Sequence, residues 1–148
     1  MADLDERYAG VDPGDAEHPD VVAVWAVRPE QVRPPRGLFV VARLDGEPVG
    51  CGAVRPLVTG VPGVCEVKRM YTVPSARRRG VSRAVLAALE RAAADLGYER
   101  MLLETGGQQP EAVALYESAG WRRVAPYGQY AGDPLSICFA KDVVPDGR

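Results

Sequence analysis

Apolar residues along this chain follow a strand-like pattern, shift to helical spacing, and then return to strands. From Gly37, GLFVVARL is strand-like and stops at Asp45-Gly46. EPVGCGAVRPL resumes after only those two residues, a loop length favoured in hairpins, so an antiparallel pair is predicted. VCEVKRMYTV, Val64 to Val73, reads as a third strand, and Pro74 keeps its last residue extended. Val81, Val85, Leu89, Ala92 and Leu96 then recur at helical spacing, with Arg83, Glu90 and Arg91 pointing elsewhere. Gly97 is placed to stop that helix. ERMLLET, Glu99 to Thr105, has a short apolar centre suited to a buried strand. GGQQ breaks the chain, and Pro110 suits the first position of a second helix. Ala112, Leu115, Tyr116 and Ala119 form its predicted buried stripe, and Gly120 ends it. WRRVAPY and LSICFAKDV close the pattern as two strands around the turn GQYAGDP.

Strands, helix, strand, helix, strands is an order that combines right-handed crossovers with an antiparallel hairpin. It predicts an α/β fold (α+β mixed), with helices packed on a mixed sheet. No internal repeat or low-complexity linker appears, and 148 residues suggest one domain with a real core. Residues 1–36 differ from the rest, with punctuation such as VDPGDAEHPD and VRPEQVRPPRG. Within them DLDERYAG suits a short helix, and VVAVWAV, Val21 to Val27, suits a strand.

Charge changes the picture in one place. The formal net charge of −2 argues against a general nucleic-acid binder, so the run Arg77-Arg78-Arg79 is a local device. No apolar run is long enough to span a membrane, and the acidic start MADLDERYAG lacks the apolar centre of a signal peptide. A cytoplasmic location is expected. Cys51, Cys65 and Cys138 are isolated, and His18 is the only histidine, so no zinc-type ligand set is expected. Nothing around the cysteines visibly supplies an activated thiolate.

The arginines sit in RMYTVPSARRRGVSRAVLAALE, between a strand and the first turn of a helix. A helix amino end already carries partial positive charge and unpaired N–H groups, so arginines there are unfavourable unless an anion is held. Gly80 allows close backbone approach, and the guanidinium groups add charge-assisted bonds to phosphate oxygens. A pyrophosphate suits the turn better than a carboxylate, while a solvated basic cluster is the bland alternative. The turn lacks the lysine followed by Ser or Thr of a Walker loop and the three spaced glycines of a dinucleotide fingerprint.

Here the sequence resembles the GNAT superfamily of acyl-CoA-dependent N-acetyltransferases. The family's pyrophosphate motif is Gln or Arg, two residues, Gly, one residue, then Gly or Ala. This chain has Arg77, Arg78, Arg79, Gly80, Val81 and Ser82, departing only at the last position. The likeness continues through EVKRMYTVP upstream, LETGGQQPEAVALYESAGW downstream and PYGQYAGDPLSICFAKD at the end, covering residues 37–143. It implies a GNAT-like central mixed, mostly antiparallel sheet flanked by helices. It also implies acetyl-CoA as acyl donor, a primary amine of a small molecule or peptide as acceptor, and frequent homodimers. The donor would lie where the strands ending at Val73 and Thr105 splay, with main-chain contacts from Met70, Tyr71 and Thr72. Its pyrophosphate would lie on Arg77 to Ser82, and Gln109 would touch its arm. The family usually places a strand and two helices before the strand matching Gly37 to Leu44. Residues 1–36 offer only a shortened front, so part of the acceptor wall is expected to be short, replaced by Val21–Val27, or supplied by a partner chain.

Acyl transfer needs a neutral amine, a stabilised carbonyl oxygen and a donor for the departing thiolate. Tyr116, matching the tyrosine of the family's helix, is the expected donor, or it merely packs in the apolar stripe. Glu66 is the candidate base, or else an ion pair with Lys68, which shares its strand face. Glu104 is an alternative base. Tyr127, Tyr130 and Asp133 are candidates for the acceptor pocket, and Arg69 for an acidic acceptor group. Direct transfer in a ternary complex is expected. A catalytically silent acyl-CoA-binding module is the alternative, and a nucleic-acid contact through the arginines is a third reading.

Overall fold

The computed structural model describes residues 29–57, 61–106 and 110–144. The readings made for DLDERYAG, His18, Val21–Val27 and Gln109 fall outside those residues. Strands β1 (Leu38–Leu44), β2 (Glu47–Pro56) and β3 (Val64–Thr72) precede helix α1 (Val81–Asp95). Strand β4 (Arg100–Gly106), helix α2 (Pro110–Ser118), β5 (Arg122–Val124) and β6 (Ser136–Asp142) follow. The six-stranded sheet has the order β1-β2-β3-β4-β6-β5. Every neighbouring pair is antiparallel except β3 and β4. This is the mixed, mostly antiparallel sheet expected from the sequence.

Local chemistry accounts for most boundaries. Asp45 and Gly46 both have positive φ, as a two-residue hairpin turn with right-handed strand twist requires. Leu44 accordingly pairs with Glu47 directly across the loop. Helix α2 begins at Pro110, whose missing N–H would be unpaired there in any case. At its far end Gly120 adopts φ +89, and two reverse bonds form, Trp121 N–H to Tyr116 C=O and Gly120 N–H to Glu117 C=O. That double closure satisfies the last carbonyls and brings the residue after the glycine back against the helix. Trp121 therefore stacks near Tyr116, with ring centroids 6.1 Å apart.

The core lies between the sheet and the two helices. Leu86, Leu89 and Ala93 of α1 meet Val54, Cys65 and Val67 of the sheet, while Tyr116 of α2 rests on Phe139. The predicted stripe of α2 is only partly buried. Tyr116 is buried, but Ala112, Leu115 and Ala119 are half-buried. Ala112 and Leu115 border a cavity rather than the core, which explains the difference. The penultimate strand is also shorter than WRRVAPY suggested, ending at Val124.

Helix α1 approaches the sheet closely because β2 has glycines beneath it. A Cβ added at Gly52 would lie 2.8 Å from Val85 Cγ1, 2.9 Å from Leu89 Cδ1 and 2.9 Å from Met70 Sδ. Overpacking of this kind costs about 1–3 kcal/mol. Gly52→Val should therefore destabilise the fold by at least that range in urea unfolding. An unchanged midpoint would show that α1 can retreat without loss.

Candidate functional site

Strands β3 and β4 pair only at Val64–Arg100, Cys65–Met101 and Glu66–Leu102. Both continue, β3 to Thr72 and β4 to Gly106, without pairing to each other. Beyond Glu66, β3 carries a bulge opposite Cys51 and Ala53, with Arg69 at φ +60. A bulge bends its strand and increases local twist, which carries β3 away from β4. The main chain of residues 67–72 along that edge is thus not taken up by β4. The expected splay is present.

Two cavities meet at the opening. The smaller, about 540 Å³, runs under the turn and is bordered by Thr72, Arg77, Arg78, Gly80, Val81 and Ser82. The larger, about 950 Å³, is bordered by Val67, Lys68, Arg69, Leu103 and Glu104 among others. Met70, Tyr71 and Tyr116 line both. The two spaces therefore share a wall at Tyr116.

The amino end of α1 is open at the turn. Gly80 caps α1 with φ +78, and α1 has neither a side-chain cap nor an acidic residue in its first turn. An added Cβ at Gly80 would meet nothing within 4 Å, so φ rather than crowding demands glycine and the space beside it is open. Thr72 Oγ1 and Ser82 Oγ lie 2.7 Å apart, tying the helix start to the strand end. The three arginines do not act alike. Arg77 Nε donates to Thr72 C=O at 3.3 Å, and Arg78, at φ +64, borders the groove. Arg79 is exposed and borders neither cavity. Arg83, not singled out for this site from the sequence, donates to Ser118 Oγ at 2.7 Å and bridges α1 to the end of α2.

Glu66 sits in a different environment from an open base. Arg55 of β2 pairs with its Oε1 through Nε at 3.0 Å and Nη2 at 2.9 Å, and Tyr127 Oη donates to its Oε2 at 2.7 Å. Neither Arg55 nor Glu66 has exposed surface. Lys68 is a further cation at 3.9 Å from Oε1, and it donates to Tyr130 Oη. The partnership with Arg55 was not legible in the sequence, because it depends on the β2–β3 register that sets the two residues opposite each other. Burial, opposed by the Glu66 charge, holds the Lys68 amine below its usual range. Tyr127 is drawn into this cluster rather than into either cavity, whereas Tyr130 borders the larger one. Asp133 caps its own turn, accepting from Leu135 N at 2.8 Å.

Glu104 and Tyr116 both open on the larger cavity. Burial raises the Glu104 carboxyl above its usual range, partly offset by the Ser136 hydroxyl and the Lys68 charge. Burial and then the nearby Glu104 charge push the Tyr116 hydroxyl up to about 12. The ring of Tyr116 packs 5.6 Å from Phe139, so the residue both fills the core and faces the cavities. Burial disfavours the thiolate form of all three cysteines. Burial raises Cys51 and Cys138 and pushes Cys65 to about 12. Among the described residues no group of three or more His, Cys, Asp or Glu is placed to hold a metal ion, and no helix is long and apolar enough to cross a membrane.

A mostly antiparallel six-stranded sheet parted at one parallel seam, with a helix amino end over the gap, defines a mixed α/β fold of the GNAT-like type. The profile of the Acetyltransferase (GNAT) family matches residues 2–121, and the chain belongs to that family. Membership supports acyl transfer as its general chemistry. An IAA acetyltransferase of Azospirillum brasilense is 42% identical over 103 residues, 70% of this chain and 66% of the relative. An uncharacterized N-acetyltransferase of Bacillus subtilis, YsnE, is 36% identical over 121 residues, covering 80% of this chain and 78% of its own. A Klebsiella pneumoniae structure provisionally assigned as an acyl-CoA N-acyltransferase aligns with TM-score 0.69 and 28% identity, covering 97% of this chain and 94% of that one.

Removing one partner of a buried ion pair costs about 3–5 kcal/mol, because the other charge is left uncompensated. Glu66→Ala should fall in that range by urea unfolding, and Arg55→Met combined with Glu66→Leu should recover much of the loss. Near-wild-type stability of the single variant would show that water replaces the carboxylate.

Proposed function

We propose that the protein is an N-acetyltransferase moving an acetyl group from acetyl-CoA to a primary amine by direct transfer in a ternary complex. The observation that carries this reading is the shared wall at Tyr116, where the anion-binding groove meets the larger cavity. The turn from Arg77 to Ser82 receives the pyrophosphate, with Gly80 and the α1 amino end supplying N–H groups and Arg77 and Arg78 supplying charge. The parted edge of β3 offers backbone groups to the amide arm of the donor and an N–H to the carbonyl oxygen.

Glu104 takes the base role in this reading, with Glu66 as the holder of Arg55 and Tyr127. Both Glu66 oxygens already accept hydrogen bonds inside the fold, whereas Glu104 faces the cavity. A carboxyl raised by burial is also a stronger base towards an ammonium. Tyr116 serves the departing thiolate as a hydrogen-bond donor. A thiol near 8.5 is the stronger acid, so full proton transfer from a phenol at about 12 would run uphill by about three to four pK units. The raised thiols of all three cysteines favour direct transfer over a cysteine intermediate.

Calorimetric titration should show acetyl-CoA binding that Gly80→Glu abolishes or sharply weakens. Tyr116→Phe should keep that affinity within a few-fold while turnover on an amine panel falls about 10²-fold or more. Binding without turnover of any amine would leave a silent acyl-CoA-binding module, and absent binding would remove the donor from the reading altogether.

The pH profile tests the base. Glu104 works ionised, so kcat/KM should climb as pH rises through its carboxyl pKa, with the limb displaced above the ordinary glutamate range. Glu104→Gln should lower kcat by about 10²-fold or more and erase that limb. A limb that persists in Glu104→Gln would assign the base to another group.

A further inference from the structure

Arg33 and Arg69 have no part in the chemistry above, yet both border the larger cavity. Neither borders the groove under the turn, so the donor's pyrophosphate does not account for them. Among the described residues, neither guanidinium has an ion-pair partner. Lys68, the other cation of the cavity, is by contrast engaged by Tyr130 and Glu66.

Their backbones are held firmly. Arg69 occupies the β3 bulge at φ +60, and its carbonyl accepts from Cys51 Sγ at 3.2 Å. The Arg33 carbonyl accepts from both Arg36 N and Gly37 N, at 3.0 and 2.9 Å. The turn behind it is pressed on β2, since a Cβ at Gly37 would lie 2.2 Å from Val54 O. Two arginines on fixed main chain thus border one cavity, where the single acid among the described lining residues is Glu104. Val32, Leu38 and Phe39 supply apolar wall beside them.

We propose that the acceptor is a small amino-carboxylic acid with an apolar body, its carboxylate held by Arg33 and Arg69 and its amine presented to Glu104 and Tyr116. This rests on the acyl-transfer reading and deepens it. Charge pattern decides the class. A polyamine would meet two unpaired cations, whereas a carboxylate gains charge-assisted, bidentate-capable bonds from them. Size agrees, because about 950 Å³ lies within the range of small-molecule pockets. Position agrees as well. Lys68 and Glu104 border the same cavity, the Lys68 charge acts on the Glu104 carboxyl, and Arg69 is the next residue along β3. Cation and base therefore share one cavity, which suits a compact acceptor over a long one.

The test compares phenylalanine, phenylalaninamide and phenethylamine as acceptors with saturating acetyl-CoA, in wild type, Arg33→Ala and Arg69→Ala. Phenylalanine should exceed both carboxylate-free partners in kcat/KM by about tenfold or more, despite the lower intrinsic amine pKa of the amide. Each arginine variant should shrink that preference, chiefly through KM for phenylalanine. Equal or better turnover of the carboxylate-free acceptors, or a preference untouched by both variants, overturns this inference and leaves acyl transfer standing. No turnover of any amine overturns both.

Discussion

Backbone pairing between β3 and β4 stops at Glu66 and Leu102, and the candidate site depends on that early stop. A parallel seam continued to the strand ends would bury its N–H and C=O groups in a ladder and leave neither cavity between them. The bulge at Arg69 and the pairing of β4 with β6 on its other edge keep the seam open while the sheet stays whole. Helix α1, set close by Gly50 and Gly52, braces β2 and β3 on one side of the opening. Helix α2, closed by Gly120, places Tyr116 on the other.

At the branch point sits a fully buried charge cluster. Desolvating Arg55 and Glu66 is expensive, and only near-ideal hydrogen bonding offsets it. Arg55 meets one carboxylate oxygen and Tyr127 the other, so the cluster is satisfied from both sides. Tyr127 and Tyr130 belong to the loop before β6, and their rings meet edge to face at 5.4 Å. Glu66 and Lys68 therefore anchor that loop over the sheet and hold Tyr130 at the larger cavity. The same charges help set the electrostatics of Glu104, which feels Lys68 as a stabilising cation and Glu66 as a repelling anion.

Much of this was readable along the chain, because the governing forces are local. Within one or two residues of an element boundary, Pro74 and Pro110 fix φ and lack a donor, while Asp45-Gly46, Gly97 and Gly120 adopt positive φ. The helical recurrence from Val81 to Leu96 and the strand-like run of Leu38 to Leu44 gave the layers in the same way. The family likeness of the turn rests on contiguous residues for the same reason, since the strand end, glycine and helix start must be neighbours in sequence to form one concave set of N–H groups.

What the linear pattern could not contain is everything set by register and by long-range approach. Whether Glu66 faces solvent, Lys68 or Arg55 depends on which residue of β2 lies opposite it, and a one-residue slip would send it to the other face. The three arginines are alike in sequence, yet the bend of the turn sends Arg77 and Arg78 to the groove and Arg79 away from it. Arg33 and Arg69 are 36 residues apart in numbering and share a cavity only because the sheet folds one beside the other. The sequence by itself determined the elements, their order and the strand–glycine–helix turn, all consequences of short-range backbone sterics and periodicity. Tertiary structure alone decided which charges are buried together, which face the cavity and where Tyr116 meets both spaces, because those depend on contacts between residues distant along the chain.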